Sequence, residues 1–451
     1  MPTSFFNDLM QTLGDRGRSL IGRQRDPARS QDLAEIGEAL LSRRGEASGV
    51  ALARSLLDGY GSAPLATRLG FLTALADRFG PDTERVERAI ADYQADRSAR
   101  SLVALQEAAE PRRQELIRRL NLAPGGTAAL VRMRAELLSH LKARPDLREV
   151  DQDFGHLLSS WFNRGFLVMR PIDWTTPANI LEKIIRYEAV HVIDGWQDLR
   201  NRLEPADRRC YAFFHPQLVD EPLIFVEVAL TTGISRAIAP LLDPDRMPIR
   251  DLDATTAVFY SISNTQKGLA GVSFGHFLIK QVAEELKRDL PNLKTFVTLS
   301  PVPGFAAWLA AERSLEHSRY FNAGTREALA ILDEPGWHLD PTKTEAVRAE
   351  LLAVAASYFL RAKTPAGRPV DPVARFHLGN GARLEALDVL GDVSPKGLAQ
   401  SHGLMVNYCY DLDEIERNHE NHAEKGEVAA SAPVRKLLRA DIPQRELVGA
   451  T

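Results

Sequence analysis

Residues 259–282 read FYSISNTQKGLAGVSFGHFLIKQV, and this stretch decides the fold of the chain. It has the pattern of a strand, a loop with several glycines and a helix, and a second strand-like run follows at residues 295–299. A helix that connects two strands in this way makes them parallel neighbours in one sheet. The loop Gln266–Gly271 leaves backbone N–H groups free to hold a phosphate-bearing ligand, which predicts a site for a nucleotide or a coenzyme tail.

The second strand-like run is followed by Ser300, and residues 300–305 read SPVPGF. Pro301 and Pro303 restrict the backbone after the serine, and Gly304 allows the chain to turn. The hydroxyl is therefore expected at a defined place near the carboxyl end of a parallel strand, where α/β sheets bind their ligands. A serine that only caps the strand is the simpler alternative.

A histidine stands in RFHLGNGA, residues 375–382, which reads as a turn-rich stretch. Histidine exchanges protons near neutral pH without any shift of its pKa, so His377 is a candidate acid or base. The chain has 11 histidines. On sequence grounds the rivals of His377 are His215, His276, His402 and His422.

Composition is that of a soluble globular protein with two or more domains: of 451 residues, 44% are hydrophobic and 26% charged. A net charge of −4 with dispersed Lys and Arg argues against nucleic acid as a partner. Cys210 and Cys409 form neither a disulfide framework nor a zinc or redox motif, which indicates a reducing compartment. The apolar runs are too short to span a bilayer and no signal-peptide pattern is seen, so we expect a cytoplasmic protein without membrane contact.

Residues 1–150 form the first predicted domain, an all-α helical bundle. Two apolar stripes at helical spacing are expected to pack in its core, and the first stops at the helix terminator Gly80-Pro81. The stripes comprise Leu65, Leu69, Leu72, Leu75 and Phe79, and Leu130, Leu137, Leu138 and Leu141. Because the apolar faces exceed what one bundle needs, this domain is also predicted to mediate self-association into a homo-oligomer, a dimer or a tetramer.

Residues 151–451 form the second predicted domain, in which strand-like runs and aromatic residues become common. Strands are predicted at residues 209–214, 223–230, 257–262 and 295–299, with a helix from Phe274 to Leu290 between the last two. Residues 306–365 return to helical spacing and are predicted as a helical insertion. The fold class is therefore multidomain α+β or α/β, a helical bundle followed by a mixed-sheet domain.

The pentapeptide Gly271-Val-Ser273-Phe-Gly275 matches the G-x-S-x-G nucleophile elbow of the α/β-hydrolases. An elbow needs its serine directly after a strand, whereas the nine residues 264–272 separate Ser273 from the predicted strand. A serine hydrolase remains an alternative, with Ser273 as nucleophile and His377 or His402 as base.

Four segments together resemble the malonyl-CoA decarboxylase family. They are residues 259–282, TLSPVPGF at 298–305, RFHLGNGA at 375–382 and DVSPKGLAQSHGLMVNYCYDL at 392–412. The resemblance is ordered along essentially the whole chain. It implies a helical N-terminal domain and a catalytic domain of the acyl-CoA N-acyltransferase (GNAT) type, which holds the pyrophosphate of coenzyme A at a helix N-terminus. The usual Q/R-x-x-G-x-G/A spacing of that superfamily is not reproduced, since Gln266 is followed by glycines at 268 and 271.

The resemblance also assigns site residues. The catalytic serine and histidine of the family fall on Ser300 and His377, a supporting tyrosine falls on Tyr410, and the coenzyme-binding stretch falls on residues 270–276. With the glycine loop, the candidate coenzyme site comprises Gln266, Gly268, Ala270, Gly271, Val272, Ser273, Phe274, Gly275 and His276. Some relatives carry a glutamate where this chain has Ser273, so a carboxylate role is not carried over to that position.

The implied activity is the conversion of malonyl-CoA to acetyl-CoA and carbon dioxide. Loss of the carboxylate leaves an electron pair that the thioester accepts as an enolate, which His377 then protonates. Neutral hydrogen-bond donors suit a carboxylate that loses its charge during the reaction. One donor to the enolate oxygen stabilises the transition state by about 3 kcal/mol. The thioester is the electron sink, so no metal or cofactor is expected.

Two other classes of protein would use the same candidate coenzyme site. One is a coenzyme A dependent N-acyltransferase with His377 or Glu227 as base, and the other is a non-enzymatic acyl-CoA sensor.

Overall fold

The structure is a computed structural model that describes residues 32–42, 45–162, 164–272, 278–316, 318–320 and 323–439. The chain divides into two compact units. The helical unit comprises the chain up to Val168 together with residues 214–223 and 265–274. The sheet unit comprises residues 169–213, 224–264 and 275–451.

Helices dominate the helical unit. They are α1 (Leu33–Leu41), α2 (Glu46–Ser62), α3 (Leu65–Asp77), α4 (Thr83–Ala95), α5 (Ala99–Ala109), α6 (Arg112–Asn121), α7 (Gly126–His140) and α8 (Arg148–Trp161). Short polar side chains start three of them, since Asp32, Asp82 and Ser98 accept backbone hydrogen bonds from the first turns of α1, α4 and α5. The helix α3 ends just before the terminator expected from Gly80-Pro81.

The predicted leucine stripes line the core of this unit. Their buried members are Leu72, Leu75, Phe79, Leu130 and Leu137. Leu65 is an exception, because it opens α3 with 48% of its surface exposed. The helical N-terminal region is confirmed.

The strands belong to one sheet. They are β1 (Val168–Pro171), β2 (Arg208–Phe214), β3 (Pro222–Thr231), β4 (Thr256–Asn264), β5 (Thr295–Thr298), β6 (Ser300–Pro301), β7 (Arg383–Asp388) and β8 (Met405–Cys409). The accompanying helices are α9 (Ala178–Tyr187), α10 (Gly195–Leu203), α11 (Ala239–Leu242), α12 (Leu278–Asp289), α13 (Phe305–Ser314), α14 (Ala323–Ala328), α15 (Pro341–Leu360), α16 (Pro372–Gly379), α17 (Pro395–Ser401), α18 (Ile415–Lys425) and α19 (Ala432–Lys436).

The strand order is β1-β2-β3-β4-β5-β8-β6, and β7 pairs with β8. β3 and β4 are antiparallel, whereas β4 and β5 are parallel, with Phe259 opposite Thr298. The predicted unit of strand, glycine loop, helix and parallel strand is therefore present as β4, the loop, α12 and β5; the predicted helix start at Phe274 lies outside the described residues. A helical region followed by a mixed sheet confirms the predicted fold class.

Strands β7 and β8 were not expected from the sequence. β8 is antiparallel to β5, β6 and β7, so it lies at the centre of this part of the sheet. Every residue of β8 is buried. A strand that is buried on both faces lacks the alternation of apolar and polar residues by which strands are recognised.

The helical insertion predicted at 306–365 is represented by α13, α14 and α15. The stretch around His377 is different from the expectation, because it forms the helix α16 and not a run of turns. Helix α8 runs across residue 150, and the domain division there stays a prediction. In the described part of the chain, no helix combines the length and apolar character needed to cross a bilayer.

Candidate active site

His377 lies in the last turn of α16, a helix with strong start and stop signals. Asp371 starts the helix by accepting a hydrogen bond from a first-turn N–H at 2.8 Å, and Pro372 occupies the first helical position. Gly381 follows the helix with φ of +80°, and a Cβ there would lie 2.1 Å from the carbonyl oxygen of Ile415. Only glycine suits that position, so the place where the helix ends, and with it the place of His377, is encoded locally.

Ser300 is positioned by the sheet. It belongs to β6, where it pairs with Val406 of β8. Its Oγ lies 3.2 Å from Nε2 of His377 and donates a hydrogen bond to Oγ1 of Thr298 at 2.9 Å. The serine and histidine that the sequence singled out, 77 positions apart, are therefore brought into contact, and both are buried.

Tyr410 holds the other side of the imidazole. Its backbone N–H donates to the carbonyl oxygen of Phe296 in β5 at 2.8 Å, and its hydroxyl oxygen lies 2.7 Å from Nδ1 of His377. Tyr408 of β8 stacks on the imidazole with ring centroids 4.5 Å apart and an interplanar angle of 24°. The ring of His377 is thus fixed at both nitrogens and on one face.

Thr298 and Tyr408 belong to the site although the sequence analysis did not single them out. Besides the bond from Ser300, Oγ1 of Thr298 accepts the backbone N–H of Tyr408 at 3.2 Å. The side-chain amide of Asn407 donates to the carbonyl oxygen of Thr298 at 2.7 Å. A signal was present, because residues two apart share one face of an extended chain, as Thr298 does with Ser300 and Tyr408 with Tyr410.

Burial governs the electrostatics of the site. His377 is 3% exposed, and burial lowers its pKa to about 3 because the charged imidazolium is poorly solvated there. Burial raises the pKa of Tyr410 well above its ordinary value, so the phenol keeps its proton at neutral pH. At pH 7 the imidazole and the phenol are therefore both neutral.

A neutral imidazole carries one N–H, and its hydrogen bonds decide which nitrogen holds the proton. The hydroxyl of Tyr410 has no other acceptor among the described residues, so it donates to Nδ1 of His377. The proton of the imidazole then lies on Nε2 and faces Oγ of Ser300. The result is a directed chain of donors from Tyr410 through His377 and Ser300 to Thr298.

The candidate coenzyme loop is part of the helical unit. The side-chain amide of Gln266 donates to Glu221 at 3.3 Å, and Gly268 is buried. Gly271 has φ of +76°, which favours glycine, and Val272 is buried with its N–H bonded to Leu269. The carbonyl oxygen of Ala270 accepts a hydrogen bond from Arg134.

Four residues of the predicted coenzyme site lie outside the described residues: Ser273, Phe274, Gly275 and His276. The nucleophile of the hydrolase alternative is therefore not described. His377, one of its two candidate bases besides His402, is engaged by Ser300.

Glu227, the candidate base of the acyltransferase alternative, is fully buried and its carboxylate accepts a hydrogen bond from Arg202 at 3.1 Å. Burial raises its pKa to about 8, against the attraction of Arg202. In the part of the chain that the structure describes, no three His, Cys, Asp or Glu side chains form a group that could hold a metal ion.

Comparison with known proteins gives one consistent family. The model of the malonyl-CoA decarboxylase C-terminal domain matches residues 165–448, and that of the N-terminal domain matches residues 79–162. The mitochondrial malonyl-CoA decarboxylase of Anser anser anser is 36% identical over 383 residues, which cover 78% of this chain and 76% of that protein.

Solved structures agree. The crystal structure of malonyl-CoA decarboxylase from Rhodopseudomonas palustris is 64% identical with a TM-score of 0.87 and covers 90% of this chain and 98% of its own. The one from Agrobacterium vitis is 58% identical with a TM-score of 0.87 and covers 91% and 100%. The chain therefore belongs to the malonyl-CoA decarboxylase family, a family of carboxy-lyases.

Proposed function

We propose that the chain converts malonyl-CoA to acetyl-CoA and carbon dioxide, with a thioester enolate that His377 protonates. The observation that carries the proposal is the buried donor chain of Tyr410, His377 and Ser300 in a member of this family. The donor chain presents an N–H and a hydroxyl at one place, which is what a carboxylate needs for binding.

The donors that meet the substrate carboxylate are neutral. Among the described residues, no Lys or Arg side chain is hydrogen-bonded to Ser300, His377 or Tyr410. A cation would stabilise the carboxylate of the ground state more than the departing carbon dioxide, and would slow the reaction. When substrate binds, its carboxylate replaces Oγ of Ser300 as the acceptor of the Nε2–H of His377, and replaces Oγ1 of Thr298 as the acceptor of the Ser300 hydroxyl. These two donors then orient the carboxylate without that penalty.

Carbon–carbon cleavage comes first. The bond between the α-carbon and the carboxylate breaks, carbon dioxide leaves without charge, and the electron pair moves onto the thioester oxygen. The thioester serves as the electron sink, and we propose that no metal or further cofactor takes part.

Proton delivery follows through the imidazole. His377 gives its Nε2 proton to the α-carbon while Tyr410 gives its hydroxyl proton to Nδ1, so the imidazole stays neutral throughout. A thioester enolate is a far stronger base than a tyrosinate, so the transfer is downhill. After the product leaves, a proton from solvent enters at Nε2 and the relay runs in reverse. One proton is consumed for each carbon dioxide released.

The decisive experiment is incubation of the purified chain with malonyl-CoA in the absence of any amine acceptor. We expect carbon dioxide and acetyl-CoA in equal amounts, with turnover lost in Ser300→Ala and kept in the control His156→Ala, which changes an exposed histidine. Binding of malonyl-CoA without turnover would support the acyl-CoA sensor and contradict the proposal. Acyl transfer that appears only after an amine is added would support the N-acyltransferase.

A further inference from the structure

Arg134 of α7 is a buried arginine that the proposed chemistry does not use. It is 5% exposed. One terminal nitrogen donates to the carbonyl oxygens of both Gly268 and Ala270, each at 2.9 Å. Its Nε donates to Asp151 at 2.8 Å, which balances the buried charge. A single side chain thus ties two carbonyl groups of the candidate coenzyme loop to the helices.

Gly268 contacts α7 without any side chain between the two backbones. A Cβ on Gly268 would lie 1.8 Å from the carbonyl oxygen of Val131, which no side chain tolerates. Val131 and Arg134 are three residues apart on α7, and positions with that spacing are neighbours on a helix surface. The loop is therefore fixed against one face of α7 by a close contact and by two hydrogen bonds.

The bond to Ala270 also sets the direction of the next N–H group. In a trans peptide the C=O of Ala270 and the N–H of Gly271 point in opposite directions. The carbonyl faces Arg134, so the N–H of Gly271 faces away from α7, and Gly271 is exposed. This N–H has no acceptor among the described residues, whereas the N–H after Gly268 is satisfied inside the loop by Gln266.

We propose that Arg134 is a positioning residue that aims the Gly271 N–H at a phosphate group of the coenzyme A part of the substrate. The inference rests on the proposed function for the identity of the ligand. Arg134 acts through the backbone of the loop and not through its own charge, which Asp151 offsets. Its loss should therefore weaken the binding of substrate and transition state alike, which raises KM and leaves kcat nearly unchanged.

The test compares Arg134→Lys with Arg113→Lys. A lysine keeps the charge, but its ammonium cannot reproduce the fork that reaches Asp151 and both carbonyl groups. Arg113 is the matched control, because it is 3% exposed and pairs with Asp153 between α6 and α8 while it makes no contact with the loop.

Calorimetric titration with coenzyme A and steady-state kinetics are the readouts. In Arg134→Lys we expect the Kd for coenzyme A and the KM for malonyl-CoA to rise at least tenfold, with kcat within about twofold. Arg113→Lys should lower Tm about as much as Arg134→Lys does, but it should leave the Kd for coenzyme A unchanged. An unchanged Kd in Arg134→Lys, or an equal rise in both variants, would overturn the inference.

A second measurement needs no variant. The backbone amide signal of Gly271 in the wild-type chain should shift on titration with coenzyme A, and an unmoved signal would overturn the inference even if Arg134→Lys fails to fold. The proposed function fails separately, if the wild-type chain binds coenzyme A with a shifted Gly271 signal but releases no carbon dioxide from malonyl-CoA.

Discussion

Tyr410→Phe tests the proton relay most directly. The change removes one hydroxyl and keeps a ring that is 1% exposed, so the packing is preserved. It deletes the 2.7 Å hydrogen bond to Nδ1 of His377. The buried nitrogen then has no donor, and the imidazole has lost both the contact that selects its tautomer and the source of the second proton.

The magnitude follows from that single bond. A buried acceptor left without a partner costs about 1–3 kcal/mol, and each 1.4 kcal/mol of activation free energy is about a tenfold change in rate. If this cost falls on the transition state, kcat should decrease by about 5- to 140-fold. KM should change little, because the hydroxyl of Tyr410 does not contact the substrate in the proposed mechanism.

The assay is steady-state release of carbon dioxide, combined with ¹⁵N NMR of the His377 ring to read its tautomer. Tyr60→Phe is the control, since it removes a buried tyrosine hydroxyl that donates to Glu136 in the helical unit. A kcat in Tyr410→Phe equal to that of Tyr60→Phe would refute the relay. So would an imidazole in the wild-type chain that carries its proton on Nδ1.

The remaining predictions concern the donor pair, the loop, pH and assembly. Ser300→Ala and His377→Ala should each lower kcat by about 10²–10⁴-fold with unchanged circular dichroism, and unchanged turnover in His377→Ala would contradict its role as acid. Gly271→Val places a branched side chain at a φ of +76° and should raise the Kd for coenzyme A more than it lowers kcat; wild-type affinity would mean that the phosphates bind elsewhere. His377 has a folded-state pKa of about 3, below its unfolded value of about 6.5. Between these two values the unfolded chain binds one more proton at this residue than the folded chain does. The stabilisation that is present above pH 6.5 is therefore lost as pH falls toward 3. Urea titrations should show a slope of up to about 1.4 kcal/mol per pH unit from this group, which His377→Gln should remove. Sedimentation should show an oligomer of the full chain that the exposed-site variant Val103→Glu weakens, whereas a strictly monomeric wild type would end the oligomer hypothesis.

Much of the scaffold is encoded in neighbouring residues. The strand, glycine loop, helix and strand of residues 256–298 were predictable, because apolar spacing and glycine positions are local properties of the chain. The same holds for the buried stripe residues of the helical unit. The cap and the glycine that delimit α16 are local signals too, although that stretch was expected to form turns and not a helix. The resemblance carried by four ordered segments named Ser300, His377 and Tyr410 as partners before any contact between them was known.

Contacts between distant segments decided the rest. Ser300 meets His377 because β8, which has no readable periodicity, pairs with β5 and β6 and carries Tyr408 and Tyr410 to the imidazole. The low pKa of His377 is a property of its burial, which depends on every segment that covers it.

The contact of Arg134 with the glycine loop joins distant parts of the chain. Gly268 lies 134 positions after Arg134 in the sequence, and Ala270 lies 136 positions after it. Residue spacing indicates which face of a helix or strand is apolar, but it does not indicate which other face will cover it. That pairing is chosen by the packing of the whole chain.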